Sequence, residues 1–306
     1  MAVGDPHELA YPVHPLAEPH SFEVTLSQYE TAIARAIARL QDWGLQLSPT
    51  SRIASYRDLL RESVKRDLPY APTRELEKLS FVLLEIFEII EVVEAIETPS
   101  TRELRRLALL VKGGIHPDDE TSSPGRDAQY ELWLHAFLRK KGLPCLLGDP
   151  DLRLRWQGTT IPLEAKRPGS LKSLDDRYRK ALHQLDPYPQ GGIVALSLDL
   201  LLRPRGKVLY AESPLQASEL MDLIFLQHAK ALISQDSPLT KRGGGRNAIG
   251  FLFTGKLPAF IREHGAFAAE FRQELLWAAS DPRRVILAGL RSVVSSYVPL
   301  DGAAAS

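Results

Sequence analysis

Two carboxylates and a lysine lie close together in the middle of the chain, on a stretch that has the pattern of a β-hairpin. Asp151 opens one alternating segment, and Glu164 and Lys166 belong to a second, at residues 160–167. Because successive side chains of a strand point to opposite faces, we expect Glu164 and Lys166 on the same face. A turn at residues 157–159 would fold the two strands together and bring Asp151 beside Glu164.

This arrangement favours hydrolysis of a phosphodiester with the help of a metal ion. Two neighbouring carboxylates repel one another and are hard to keep ionised without a cation. Mg2+ relieves that repulsion, because it prefers oxygen ligands and keeps several of its waters. A lysine beside the ion can hold or deprotonate the attacking water, or stabilise charge that develops on the phosphate.

A Glu-x-Lys triplet is common by itself, and the competing interpretation is an exposed strand edge with a surface ion pair. The surroundings of the triplet favour a functional site. A predicted helix with Glu131 precedes the hairpin, and a basic helix with Gln184 follows it. Between Arg126 and Lys180 the chain carries 12 Lys or Arg against 7 Asp or Glu, so this segment is basic although the whole chain has no net charge.

The ordered set resembles the PD-(D/E)xK nuclease superfamily, which has the restriction-endonuclease-like fold. The resemblance covers about residues 125–200 and rests on Pro150-Asp151, Glu164-Ala165-Lys166, the helix with Glu131, Arg167-Pro168 and the helix that ends with His183-Gln184-Leu185. Gln184 and Tyr188 also have the Gln-x-x-x-Tyr spacing of the RecB-like branch. Pro187 stands between them and would end the helix, so Tyr188 is given no role.

The resemblance implies a role for each matched residue. Asp151 and Glu164 would bind Mg2+, for which Mn2+ would substitute, and the backbone carbonyl of Ala165 would be a further ligand. Glu131 would bind the ion directly or through water. Lys166 would position the attacking water.

Gln184 completes the predicted site, and two other candidates, Asp149 and His135, are left out of it. Gln184 would contact the metal ligands or a phosphate. Asp149 competes with Asp151 for the metal, and we favour Asp151 because Asp149 suits the turn. His135 lies one turn from Glu131, and a polar contact on the helix face is the preferred interpretation for it.

The implied activity is Mg2+-dependent hydrolysis of DNA, with RNA as a further candidate substrate, in a bacterial defence or restriction role. The alternative is a catalytically silent subunit of the same fold that acts as a DNA-binding or structural scaffold. Arg167, Lys172, Arg177, Arg179 and Lys180 follow the triplet, where a nucleic-acid backbone would pass. A glycine-rich basic loop at residues 241–247 is a second candidate contact.

Composition limits the remaining possibilities for this chain of 306 residues. The single cysteine, Cys145, excludes a disulfide framework and a thiolate-rich zinc site, and an apolar neighbourhood favours a buried, inert thiol. The apolar stretch at residues 81–96 is interrupted by glutamates, which argues against a membrane span. With no visible secretory signal, the expected location is the cytoplasm.

The predicted fold class is α/β, with a restriction-endonuclease-like mixed sheet that helices flank. An all-helical region at residues 1–115 would bind a protein partner, regulate the enzyme or self-associate; its acidic charge makes it a poor DNA surface. A linker at residues 113–125 would lead to a nuclease-like domain at residues 125–300. Periodicity predicts helices at residues 25–43, 51–65, 73–97, 101–112, 127–141 (capped by Asp127), 171–185, 214–234 and 258–278, and buried strands at 192–199, 248–253 and 284–290.

Overall fold

The computed structural model describes residues 26–64, 73–113, 124–202, 208–233, 248–263, 266–276 and 284–294. The first part of the chain is helical, as predicted: α1 Leu26–Asp42, α2 Arg52–Val64, α3 Thr73–Ala95, α4 Thr101–Leu110 and α5 Pro124–Lys140. Because α5 begins at Pro124, Asp127 lies in its first turn and is not its cap. Most of the predicted linker lies outside the described residues.

A mixed seven-stranded sheet follows, and this confirms the predicted α/β class. Its order is β1-β2-β3-β4-β6-β5, with β7 on β6; β3, β4, β5 and β6 form the parallel pairs, and β1–β2, β2–β3 and β6–β7 are antiparallel. The elements are β1 Cys145–Leu147, β2 Leu152–Trp156, β3 Thr159–Lys166, α6 Leu171–Leu185, β4 Gly192–Ser197, α7 Asp199–Leu202, β5 Leu209–Ala211, α8 Pro214–Ile233, β6 Ala248–Ile261, β7 Ala266–Leu276 and α9 Arg284–Val294.

The helix predicted at residues 258–278 is wrong. Strand β6 continues to Ile261, and β7 returns beside it over the whole register from Ile261↔Ala266 to Phe251↔Leu276. Alanine, glutamate and glutamine in this segment favour a helix locally, but pairing along a long buried strand outweighs that weak preference.

The strand predicted at residues 284–290 is also wrong, because α9 occupies this segment. Its β-branched and apolar residues resemble a buried strand when read as a continuous run. The residues that the fold buries are Leu287, Leu290 and Val294, which are three and four positions apart. That spacing is the period of a helix that packs on one face.

The sheet is buried between two helical layers. One hydrophobic cluster joins residues of α1–α5 to one face of the sheet, where Leu163 and Ala195 lie. On the other face, Leu174 of α6 and Phe225 of α8 pack with Val194 and Leu196 of β4. Strands β3 and β4 are therefore covered on both sides. None of the helices in the described part of the chain has the length and apolar character that a membrane crossing requires.

Candidate active site on the hairpin of β2 and β3

The β2–β3 hairpin places the predicted carboxylates opposite one another. The strands pair from Leu152↔Leu163 to Trp156↔Thr159, and a tight turn joins them at Gln157 and Gly158, whose φ angles are +46° and +78°. Positive φ at both central residues is the geometry that fits the twist of a two-residue hairpin. The register puts Asp151, just before β2, next to Glu164 on β3.

Two backbone amides donate hydrogen bonds to the carboxylates of Asp151 and Glu164 and hold them in place. The amide of Asp151 donates to Glu164 Oε2 at 3.4 Å, and the amide of Ala165 donates to Asp151 Oδ2 at 3.1 Å. Lys166 Nζ donates to Glu164 Oε1 and lies 3.5 Å from Asp151 Oδ2. Glu164 is fully buried on a strand that lies between β2 and β4. The competing interpretation, an exposed strand edge with a surface ion pair, is therefore wrong.

Glu131 joins the site from α5, and an arginine from α4 links it to the hairpin. Arg106 Nε lies 2.9 Å from Glu131 Oε2, and Arg106 Nη2 lies 3.5 Å from Asp151 Oδ1. We call these five residues the carboxylate cluster: Arg106, Glu131, Asp151, Glu164 and Lys166. Sequence reasoning missed Arg106, since only the packing of α4 on α5 brings it to residues far along the chain.

The carboxylate cluster places three carboxyl groups against two cationic side chains in a buried place. Burial, followed by the charge of Asp151, raises the pKa of Glu131 to about 8 and that of Glu164 to about 8. Burial opposes the charge of Lys166, but Asp151 and Glu164 outweigh that effect and raise its pKa. Lys166 is thus a cation at neutral pH, and two of the three carboxyl groups hold protons readily.

The oxygen donors of the cluster suit a hard cation such as Mg2+. Within the described residues, no group of three or more His, Cys, Asp or Glu side chains is arranged to hold a metal ion. The cations Lys166 and Arg106 lie against the same carboxylate oxygens that a metal would need. Glu131 Oε2 is buried and makes no hydrogen bond, but it forms an ion pair with Arg106 Nε at 2.9 Å, so a metal ion at this place would compete with both cations.

The structure separates Asp149 and Gln184 from the cluster. The carbonyl of Asp149 accepts hydrogen bonds from Arg153 Nε at 3.0 Å and Nη2 at 2.7 Å, and another from the hydroxyl of Tyr188. Asp149 therefore shapes the turn, and Tyr188, to which sequence reasoning gave no role, helps to hold it. Gln184 is exposed on α6, and no hydrogen bond connects it to the cluster.

His135 and Cys145 have structural contacts. His135 is buried, and its Nε2 lies 3.0 Å from the carbonyl of Cys145, which is the polar contact that we expected for this helix face. Cys145 is buried, as predicted, and burial raises the pKa of its thiol to about 12. A thiol with such a pKa is a poor nucleophile at neutral pH.

Arg167 points away from the carboxylate cluster into a second buried group of charges. Its Nη2 lies 2.7 Å from Glu85 Oε1 and 3.3 Å from Asp199 Oδ2, and its Nη1 lies 3.1 Å from Glu88 Oε2. Lys256 Nζ also binds Glu88 and lies 3.5 Å from Asp199 Oδ2. We call the whole group the buried ion network: Arg52, Glu85, Glu88, Arg126, Arg167, Asp199 and Lys256.

This network corrects two expectations. Arg167 is only 5% exposed and cannot contact a nucleic acid that passes over the surface. Glu85 and Glu88 are buried as well, so they do not contribute to an acidic surface of the helical region. Among the other predicted contacts, Lys172, Arg179 and Lys180 are exposed, and Arg177 is paired with Asp127 at 2.7 Å. The loop at residues 241–247 lies outside the described residues.

Comparisons of the chain with protein-family models, with curated proteins and with solved structures find no match.

Proposed function

We propose that this protein is a Mg2+-dependent nuclease that hydrolyses DNA, with a restriction-endonuclease-like arrangement of its sheet. The observation that supports this most is the carboxylate cluster itself. Asp151, Glu164 and Glu131 converge from a hairpin and a helix, together with Lys166. The hairpin order, with the acid before β2 and the Glu-x-Lys triplet on β3, is the order of the PD-(D/E)xK superfamily.

Each residue then has a role in the proposed reaction. Asp151, Glu164 and Glu131 would hold Mg2+, together with the backbone carbonyl of Ala165. When bound, the ion would supply Lewis-acid stabilisation of the phosphate and a more acidic water.

Lys166 acts as a cation in this proposal. The raised pKa of its ammonium group opposes deprotonation at neutral pH. Between the two roles open to this lysine, its charge therefore favours stabilising the negative charge that develops on the phosphate, together with orienting the attacking water through N–H donation.

Cleavage assays with variants of the cluster test the proposal. We expect the purified full chain to cleave plasmid or single-stranded DNA with Mg2+ and to be inactive in EDTA. Lys166→Ala and Asp151→Asn should each lower the rate by about 10²–10⁴-fold, the range typical for the loss of one positioned catalytic group. An RNA substrate of the same sequence determines which nucleic acid is preferred.

Arg61→Ala is the matched control, since it removes an exposed cation on α2 that pairs with Glu30. It should keep nearly full activity. Cleavage that persists unchanged in Lys166→Ala and Asp151→Asn would show that the carboxylate cluster is not the active site.

The second candidate is a catalytically silent scaffold of the same fold. It is favoured by the contacts of Lys166 and Arg106, which already neutralise much of the carboxylate charge without a metal. A wild-type protein that binds DNA but leaves plasmid, single-stranded DNA and RNA intact with both Mg2+ and Mn2+ would support this candidate. The role in bacterial defence or restriction, and the binding of a protein partner through the helical region, rest on the sequence resemblance and charge alone.

A further inference from the structure

A cavity of about 530 Å³ lies beside the candidate active site, at the outer edge of the sheet. The start of α4, the second half of α5 and strands β1 and β2 form its walls. Its polar lining includes Ser100, Arg102, Glu103, His135, Arg139 and Arg155. Its volume is in the range of cavities that bind small ligands, roughly 300–1,000 Å³.

Positive charge dominates this cavity. Arg102, Arg139 and Arg155 are exposed and face one carboxylate, that of Glu103. Glu103 is already engaged, because its Oε2 accepts a hydrogen bond of 2.7 Å from the backbone amide of Ser100 in the capping box of α4.

Two of the arginines are available for a ligand. Within the described residues, neither Arg139 nor Arg155 forms an ion pair, whereas Arg102 donates to the carbonyl of Leu147 at 3.2 Å. Guanidinium groups bind phosphate with two parallel hydrogen bonds, so this lining suits a phosphate-bearing ligand.

The base of the cavity is neutral and its rim is apolar. His135 is 4% exposed, and burial lowers its pKa, so it adds a polar group without a charge at neutral pH. Leu146 is 67% exposed beside the arginines, next to Pro144 and Leu147. A nucleotide has a phosphate and a base with a flat apolar face. The arginines of this cavity suit the phosphate, and Leu146 suits the base.

The cavity continues the candidate active site along two helices. On α4, Arg102 precedes Arg106 of the carboxylate cluster by one turn. On α5, Arg139 follows Glu131 by eight residues, which is about 12 Å of helix. In duplex DNA each strand carries one phosphate per about 3.4 Å of helix axis, so this length corresponds to a few nucleotides at most.

We propose that this cavity binds a phosphate and its nucleotide on the substrate strand, a few nucleotides from the phosphate that is cut. This inference rests on the proposed nuclease function. Arg139 and Arg155 bind the strand backbone, and Leu146 contacts a base. The same chemistry would accept a free nucleotide, and the experiment distinguishes the two sources.

Binding of a fluorescently labelled single-stranded oligonucleotide in EDTA tests the proposal without cleavage. We expect Arg139→Ala/Arg155→Ala to weaken binding by tenfold or more. Over about 50–200 mM salt, the slope of log K against log salt should also become shallower by about one, as expected for the loss of one or two phosphate contacts.

The control Arg35→Ala/Arg61→Ala removes the same charge from exposed positions on α1 and α2, which do not line the cavity. It should bind like the wild type, and Arg139→Lys/Arg155→Lys should recover part of the lost affinity. Equal weakening in the cavity variant and in the control would overturn the proposal, as would a wild type that binds no oligonucleotide.

Two further measurements separate the sources and the two proposals. If AMP or inorganic phosphate binds at the cavity as tightly as the oligonucleotide does, the ligand is a free phosphate compound and the strand assignment is wrong. If the wild type binds through Arg139 and Arg155 but cleaves nothing with Mg2+ or Mn2+, the cavity proposal stands and the nuclease function fails. If it cleaves and the cavity variant has an unchanged KM, the cavity proposal fails alone.

Discussion

The adjacent residues Lys166 and Arg167 belong to two different buried groups of charged side chains. Carboxyl groups outnumber cations in one group, and cations outnumber carboxylates in the other. The carboxylate cluster has three carboxyl groups against two cations. The buried ion network has four cations against three carboxylates. Strand β3 ends at Lys166. Adjacent side chains of an extended chain point in opposite directions, so Lys166 and Arg167 reach different groups.

The difference appears most clearly in two glutamates that are equally inaccessible to solvent. Glu164 and Glu85 are both 0% exposed. Burial and Asp151 raise the pKa of Glu164 to about 8. Burial also opposes ionisation of Glu85, but Arg167, Arg52 and Arg126 outweigh it and lower its pKa to about 2.

The comparison separates a structural use of buried charge from the functional use that we propose. In the network the charges complement one another and join α2, α3 and α5 to the sheet. In the cluster, carboxylates compete for too few cations, and such an arrangement is stabilised by an added cation. Burial alone does not distinguish these cases, but the balance of charge does.

The largest expected effect is on stability at the network. Arg167→Met should lower the free energy of unfolding by about 3–5 kcal/mol, because it leaves Glu85, Glu88 and Asp199 with less compensation in a buried place. Urea unfolding of the full chain measures this.

Lys166→Met is the matched comparison, at the adjacent residue. It should cost less than half as much, since Lys166 is partly accessible and its neighbouring carboxyl groups can take up protons near neutral pH. Equal losses in the two variants would contradict the distinction between a structural network and the proposed active site.

A smaller effect is expected from the pH dependence of the cluster. A carboxyl group whose pKa is raised on folding contributes stability that is complete below its unfolded pKa and is lost as the pH rises through its folded pKa. For Glu131 that interval runs from its ordinary value of 4.5 to about 8. In EDTA, Glu131→Gln should therefore be more stable than the wild type at pH 8, by up to a few kcal/mol, and similar to it at pH 4.

For Glu85 we expect the opposite dependence of stability on pH. Its lowered pKa contributes stability above pH 4.5 that is lost as the pH falls towards 2. Unfolding curves of wild type and Glu131→Gln across the pH range check both trends. A constant difference between the two proteins at every pH would show that Glu131 does not titrate as the charge balance requires.

The smallest effect expected is stabilisation by a divalent cation. Ca2+ or Mg2+ at ten times its Kd should raise the free energy of unfolding by about 1.4 kcal/mol. A thermal shift measures this, and Asp151→Asn should abolish it while Arg177→Ala keeps it. A shift that survives in Asp151→Asn would place the cation elsewhere in the molecule.

Local patterns were sufficient for much of the site. Alternation and the turn at Gln157 and Gly158 predicted the hairpin, and that hairpin fixes Asp151 beside Glu164 and aligns Lys166 with both. The preference for Asp151 over Asp149 agrees with the contacts, since Asp149 interacts through its backbone carbonyl. Tyr188 was set aside because Pro187 ends the helix, yet it reaches that carbonyl across the fold.

Local patterns failed where long-range pairing or packing decided the structure. Residues 266–276 favour a helix by composition, but they pair with β6 as a strand. Residues 284–294 resemble a strand by composition, but they bury one helical face. In both segments tertiary contacts outweigh a propensity of less than about 1 kcal/mol per residue.

The sequence by itself determined the α/β class, the helical first part of the chain and the chemistry of a carboxylate hairpin with its lysine, because these depend on periodicity and on neighbours a few residues apart. Only the tertiary structure brought Arg106 to Glu131 and Asp151, buried Arg167 against Glu85 and Glu88, and placed Arg139 beside Arg155. Charges act through space, and so the electrostatic balance that separates a candidate site from a structural ion network depends on residues distant in the chain.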